Sequence, residues 1–484
     1  MGYNAPMPAA SRLVRRVPAL LPVLIALVAA PAVSGCYFRP KAPSHLRILF
    51  TSDTQGNFTP CGCAGGPRGG MERRSTAITE ARAEAAGPVI LLDTGNFSTG
   101  RTTEIERLKA EHITRAMALI GYDAVNVGKM DARRPRLGVR EYDQTGCPLI
   151  SAGYTYEDEE TGERRFSFPS RIVVEREGFR IGIVGHPFTS LGEEDSESLG
   201  FENEATVDPR QFYELLDEAY VKDRVGMIIL ITDFAGSWQE AHFAAGRYPL
   251  AAVAIAGSAA EASFTDDKEG SQVPHPVVVP RAASWGRSLG ILDLDLSPTG
   301  GVTAYRLKYV DLNENVAKDP ALAKMTAEYL EAIDKEPTEV LQVRMPGLVG
   351  AEACRSCHGG EYESWAETRH AQAWGTLEKS GRLQEASCVP CHATGYPDAE
   401  ALPARIVPRE AQGVGCEACH GPGEVHILFQ RWRLYGESTG EVHQEDLTDP
   451  IVLIPPQETC TRCHVGPYDE GWVYEIKLDR VRHD

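Results

Sequence analysis

Four things are missing from this 484-residue sequence: an apolar run of spanning length after Val33, an excess of positive charge, any methionine beyond Met345, and, over 45–312, any internal repeat. Without such a run, no membrane-spanning helix is expected after the amino terminus. The charge deficit bears on partners. Asp and Glu total 68 against 49 Lys and Arg, a net charge of −19. So acidic a chain repels phosphate backbones, and nucleic acid is not an expected partner; the surplus acid either steers cationic partners or serves only solubility, the second being preferred. The length predicts two or three domains.

What is present begins with an export signal. Arg12, Arg15 and Arg16 precede an uncharged stretch over 17–33, followed by Ser34-Gly35-Cys36. A basic flank, a short greasy run and small residues before a cut describe a secretory signal. The alternative, an uncleaved anchor, is opposed by Pro18, Pro22 and Pro31, which interrupt a long helix. Val33-Ser34-Gly35-Cys36 resembles a bacterial lipobox, which implies cleavage after residue 35, lipidation of Cys36 and a membrane-anchored periplasmic or cell-surface protein.

Of twelve cysteines, eight lie in four Cys-x-x-Cys-His units. They are Cys354/Cys357 with His358, Cys388/Cys391 with His392, Cys416/Cys419 with His420, and Cys460/Cys463 with His464. Cysteines at this spacing reach the two vinyl groups of one haem, and the following histidine binds its iron. Zinc knuckles also use paired cysteines, but would not require a histidine after every pair. Disulfides are the other alternative, and cysteines so close together staple a fold poorly. Four covalently bound haems c are therefore expected over 346–484.

Four irons have eight axial positions, and the region carries eight histidines: the four above with His370, His426, His443 and His483. Because methionine is absent there, His/Met ligation is excluded and bis-histidine haems of low potential follow. The sequence places His370 on a helix over 361–378, and His426 follows Gly421-Pro422-Gly423. His443 and the penultimate His483 are each either iron ligands or solvated surface histidines; should one be the latter, an iron keeps an open position. Tyr362, Trp365, Trp374 and Trp432 are expected to pack on porphyrin faces, since a small domain with few aliphatics uses its haems as its core.

The run from Cys354 to His370, with Tyr362 and Trp365 between, and the stretch from Gly413 to Gly423 followed by His426, resemble the tetrahaem cytochrome family that accepts electrons from hydroxylamine oxidoreductase. The resemblance covers about 349–464. It implies proximal ligation by His358, His392, His420 and His464, distal ligation by His370 and His426, haems stacked in close pairs, and one iron that can be five-coordinate. Redox partner proteins are implied, but not which ones.

From 45 to 312 strand-like runs at 46–51, 89–93, 124–127, 181–184, 226–232, 251–256 and 276–279 alternate with helical stretches such as 104–120. Such alternation predicts a layered α/β sandwich. On the 104–120 helix, His112 reads as a buried-face histidine. Residues 313–345 read as a linker carrying one helix over 320–334.

The order of these runs, with Thr51-Ser52-Asp53, Asp93-Thr94-Gly95-Asn96, Gly128 and Ser284 to Gly290, resembles the calcineurin-like metallophosphatases of the 5′-nucleotidase branch. That family hydrolyses phosphoesters with two metals held by Asp, His and Asn. Set on this chain, its ligands are largely replaced. Gln55 stands for a histidine, Asn96 for an acid, Lys129-Met130-Asp131 for Asn-His-Asp/Glu, Asp233 for a histidine, and residues 257–260 lack the late histidines. A hydrolase fold without hydrolase chemistry is expected, with one divalent cation at Asp53/Asp93 as a further expectation. Cys61 and Cys63 form either a strained redox-active or soft-metal pair, or one of them a structural disulfide to Cys147; the disulfide is preferred.

The expectation is an exported, membrane-anchored tetrahaem electron carrier. A metal-dependent phosphatase with a cytochrome tail, or a redox enzyme acting on a small nitrogen or sulfur compound at an open haem, are the alternatives.

Overall fold

The computed structural model describes residues 41–60, 66–100, 104–132, 144–153, 155–157, 164–166, 168–186, 209–232, 252–256, 284–335, 345–383, 385, 388–396, 407–435, 451–464, 469 and 472–483. The expected strand at 276–279 lies outside these residues. So do Cys36, Cys61, Cys63, Asp233, the 257–260 stretch and His443.

The chain opens with β1 (His45–Thr51), α1 (Met71–Ala83), β2 (Val89–Asp93), α2 (Glu104–Ile120), β3 (Ala124–Asn126), α3 (Lys129–Ala132) and β4 (Leu149–Ile150). A small hairpin, β5 (Thr155–Glu157) and β6 (Arg164–Phe166), leads to β7 (Arg171–Arg176) and β8 (Phe179–His186). Next come α4 (Pro209–Asp217), β9 (Met227–Thr232), β10 (Ala252–Ala256), β11 (Ser288–Leu296), β12 (Val302–Asp311) and α5 (Pro320–Lys335).

These strands make two larger sheets, ordered β12-β11-β1-β2-β3-β4 and β10-β9-β8-β7. The first is parallel from β1 through β4, with β11 and β12 added antiparallel on its edge. Side chains alternate across a strand, and β1 shows the consequence. Ile48 and Phe50 point into the layer shared with Ile181, Ile183, Ile229 and Ile231 of the second sheet. Leu49 points the other way, into the layer that α1, α2 and α5 cover with Ile78, Ile113, Met117 and Tyr329. Each such buried side chain contributes about 1.5–3 kcal/mol. The α/β sandwich expected from the alternating runs is what the chain forms.

The helix assigned to a linker proves to belong to this packing. Leu322, Tyr329 and Ile333 of α5 are buried among α1 and α2. Their spacing puts them on one helical face, so α5 closes the core instead of tethering two bodies.

The carboxy-terminal part is helical and short-pieced: α6 (Ala351–Cys354), α7 (Gly359–Ala366), α8 (Ala373–Ser380), α9 (Val389–His392), α10 (Cys416–His420), α11 (Glu424–Tyr435), α12 (Gln457–Thr461) and α13 (Tyr474–Leu478). The single helix expected over 361–378 is instead two, broken around His370. The Thr368 hydroxyl donates to the Trp365 carbonyl at 2.6 Å, a local bond that competes with the helical ladder. Among the described residues no helix is long and apolar enough to cross a membrane.

Candidate functional site

Each Cys-x-x-Cys-His unit folds as one helical turn. In the first, the N–H groups of Cys357 and His358 both bond the Cys354 carbonyl, at 3.2 and 2.9 Å; the fourth repeats this at Cys463 and His464 on Cys460. A turn of this kind puts positions i, i+3 and i+4 on one face, so both thiols and the imidazole address one space.

The four units touch in a definite order. Cys354 lies beside Cys416, whose proximity raises the Cys354 thiol and lowers that of Cys416. Cys419 lies beside Cys460 and Cys463, and burial pushes it up to about 11. Cys463 lies beside Cys391 and its thiol donates to the Pro390 carbonyl at 3.8 Å. The first unit therefore meets the third, the third meets the fourth, and the fourth meets the second.

The histidines pair across these units. His358 faces His426 with ring centres 6.3 Å apart, His370 faces His464 at 6.0 Å, and His420 faces His483 at 5.7 Å. Two imidazoles on opposite sides of one metal, each nitrogen about 2 Å from it, have ring centres about 6 Å apart. His483, ambiguous in the sequence, is thus brought to His420. Among the described residues no second histidine ring faces His392; His443 lies outside them.

Three proximal candidates are held through Nδ1. His392 bonds the Ala373 carbonyl at 2.7 Å, His420 the Val452 carbonyl at 2.6 Å, and His464 the Asp469 carboxylate at 2.7 Å. An Nδ1–H occupied in this way leaves Nε2 bare, and such partners orient metal-binding histidines. Burial lowers the pKa of His370 and His392, favouring the neutral imidazole that binds iron.

The packing makes the same demand. Helices α6, α7, α12 and α13 bury none of their residues, while Leu453 is 86% exposed and Ile454 67%. Among the described residues of this part, the apolar cluster Trp374, Leu377, Val389, Ala393, Tyr396, Val407 and Ala411 packs around the second unit. Chain of this kind needs large apolar groups to complete its core, and the residues present fit haem. Trp374 belongs to that aliphatic cluster, and Trp365 donates its indole N–H to the Val414 carbonyl at 2.8 Å.

Two acids that the sequence did not single out fix these parts. Glu417, inside the third unit, accepts the N–H groups of Val349 and Gly350 before the first unit and of Gly423 before His426, at 2.8–2.9 Å. Glu385, three residues before Cys388, pairs with Lys109 of α2 at 2.8 Å and accepts the Tyr329 hydroxyl at 3.3 Å. A carboxylate between two motif cysteines was the available signal for the first; the second had none.

The other candidate centre lies where β1, β2 and β3 end, the edge at which α/β sheets carry their ligands. Here the expected cation site at Asp53/Asp93 does not assemble. Asp53 accepts the Asn96 side-chain amide at 2.9 Å. Asp93 turns instead to Thr51, the Gly95 N–H and the Arg74 guanidinium, 3.9 Å away. Among the described residues no group of three or more His, Cys, Asp or Glu could hold a metal ion. The residues do not fit a two-metal hydrolase. Cys147 is buried, its thiol raised by burial and by nearby Asp93 and Asp131; the disulfide expected to it from Cys61 or Cys63 falls on residues outside those described.

Comparison with known proteins divides the chain at the same place. The cytochrome c554 and c-prime family matches residues 353–421. Cytochrome c-554 of Nitrosomonas europaea is 26% identical over 140 residues, 25% of this chain and 60% of that protein. The 5′-nucleotidase of Vibrio vulnificus is 31% identical over 178 residues, 35% of this chain but 30% of the nucleotidase. The chain thus spans less than two thirds of either relative. Among solved structures, a 5′-nucleotidase precursor from Thermus thermophilus superimposes with a TM-score of 0.47 at 19% identity, covering 70% of this chain and 68% of that one.

Proposed function

We propose that this chain is an exported tetrahaem c-type cytochrome that relays electrons between redox partner proteins, anchored to a membrane through lipid on Cys36. The observation that carries the reading is the set of facing imidazole pairs, each drawing one ring from a Cys-x-x-Cys-His unit and one from elsewhere in the chain. In this reading Cys354/Cys357, Cys388/Cys391, Cys416/Cys419 and Cys460/Cys463 hold four haems by thioethers. His358, His392, His420 and His464 are the proximal ligands.

Bound haem supplies one-electron exchange between the ferric and ferrous states. The protein supplies placement. His358 with His426, His370 with His464 and His420 with His483 would supply the nitrogen donors at three of the irons, and the Nδ1 contacts of His420 and His464 orient their rings. With haem bound, the contacts between units would let electrons pass between neighbours in the order first, third, fourth and second. His392 is the site of interest for ligand chemistry, because its distal position depends on His443 or stays open to a small nitrogen or sulfur compound.

Intact mass of the exported product, with low-temperature paramagnetic resonance of the same sample, tests the reading. Four added haem masses and at least three low-spin irons are expected; a polypeptide of unmodified mass ends the proposal. Cys36→Ala is expected to abolish lipidation and release the protein from the membrane fraction.

A phosphoesterase reading draws on the sequence similarity over about a third of the chain. It requires release of phosphate from nucleotides by the holoprotein with manganese, zinc or cobalt, and the expected result is none.

A further inference from the structure

The strand-end centre of the α/β module keeps the shape of a metal site without its chemistry. Asp53, Gln55 and Asn96 all have positive φ, at 45°, 45° and 57°. Non-glycine residues in this region carry strain that surrounding structure must hold in place. The three sit on loops joined by backbone bonds: Asp53 N–H to the Gly95 carbonyl at 3.0 Å and Gln55 N–H to the Asn96 carbonyl at 2.9 Å.

Within that frame Asn96 bridges two loops. Its side-chain oxygen accepts the Met130 N–H at 2.9 Å, and its amide nitrogen donates to Asp53 Oδ1 at 2.9 Å. Asp131 holds the loops from behind, accepting the N–H groups of Asn96, Ser98 and Gly128 at 2.7–2.9 Å. The remaining buried acid, Asp93, has a guanidinium for company. Arg74, whose side chain is fully buried, lies 3.9 Å from Asp93 and donates to the Thr54 hydroxyl at 2.9 Å.

A carboxylate at position 96 would face Asp53 across the same 2.9 Å. Two like charges that close are tolerable only with a cation between them or a shared proton. Replacing one oxygen by NH2 turns that repulsion into a hydrogen bond. The centre is also closed: Asp53, Asp93 and Asp131 are buried, and a Cβ on Gly128 would meet Asn96 Oδ1 at 2.4 Å.

We propose that Asn96 locks this centre in a permanently metal-free state, its amide spanning the gap to Asp53 that a cation spans in a two-metal site, while Arg74 supplies the fixed positive charge for Asp93. The α/β module is then a scaffold whose stability is independent of divalent metal, and this holds whatever the haem module does.

The test uses the full-length holoprotein. Metal analysis should find no stoichiometric manganese, zinc, cobalt or nickel, and the melting temperature should be the same with chelator or with added manganese. Asn96→Asp should melt roughly 5 °C or more lower in chelator. The exchange variant Asp53→Asn/Asn96→Asp, which rebuilds an amide–carboxylate pair with its polarity reversed, should recover most of that loss. Stoichiometric metal in the wild type, with melting lowered by chelator, would overturn the proposal even if the variants fail to fold. So would an Asn96→Asp protein that melts like wild type, or an exchange variant no better than the single one.

Discussion

Lys109 Nζ and Glu385 Oε2 stand 2.8 Å apart with side chains only 3% and 6% exposed, joining a helix of the α/β sandwich to the segment just before the second Cys-x-x-Cys-His unit. Lys109 also pairs with Glu106 at 2.9 Å. Burial alone would raise the Glu385 carboxyl, but Lys109 and Arg382 beside it bring it below its ordinary value. Lys109 is raised well above its own because its acidic neighbours outweigh burial. Arg382 adds a bond to the Pro60 carbonyl at 2.9 Å, so the two modules meet through charge that water does not reach.

Removing one partner of such a pair strands the other in a low dielectric. Lys109→Met strips Glu106 of its buried cation and leaves Glu385 with Arg382 alone, 3.8 Å away, and should cost about 3–5 kcal/mol of stability. In a double-mutant cycle with Glu385→Gln the losses should be strongly non-additive. Additive losses in chemical denaturation would show that the two residues do not act together.

His370 lies near the first attachment unit in sequence but faces the histidine of the fourth. Its loss should therefore act on the haem of Cys460 and Cys463. His370→Ala should convert one low-spin haem to high-spin. Adding Cys460→Ala and Cys463→Ala, which removes that haem, should leave no new high-spin signal. A high-spin signal that survives their removal would assign His370 to another iron.

The sequence revealed a good deal of this, for reasons that differ by region. The strands were legible because Leu46 to Thr51 and Val89 to Asp93 are short apolar runs between polar loops, and α2 because Ile105, Leu108, His112, Ala116, Leu119 and Ile120 recur at helical spacing. His112 is buried as expected, its Nδ1 on the Leu108 carbonyl. α5 was misjudged because amphipathicity does not say which surface a helix covers. No local pattern marks the break at His370, whose carbonyl accepts the N–H of the distant Val414 at 3.0 Å. The ligand losses around Asp53 could be read from residue types, but the use of Asn96 and Arg74 as replacements depends on distances that no spacing encodes.

Asp131 gives the module a pH dependence. Burial pushes its carboxyl up to about 8, against the three backbone N–H bonds that favour the charged form. The unfolded value is about 3.9. Between the two, the native state keeps a proton that the unfolded chain has released. This contribution to stability is complete below about pH 4 and is lost as pH rises through about 8. Denaturation of wild type and Asp131→Asn across that window should show a steeper decline for wild type, by up to about 1.4 kcal/mol per pH unit. Parallel curves would mean that Asp131 is ionised throughout.

Glu417 ties the third Cys-x-x-Cys-His unit to the segment before the first and to the turn before His426. Its carboxylate accepts three N–H groups, from Val349, Gly350 and Gly423. These lie on the segments that carry Cys354 and His426 into place. In Glu417→Gln an NH2 group replaces one acceptor oxygen, so at least one buried N–H loses its partner, at about 1–3 kcal/mol. The strain should fall on the His358–His426 pair. The variant should retain all four haems by mass while showing partial high-spin character at one iron, and added imidazole should return that iron to low spin. A haem spectrum identical to wild type, with unchanged thermal stability, would mean that the first and third units hold their geometry without this carboxylate.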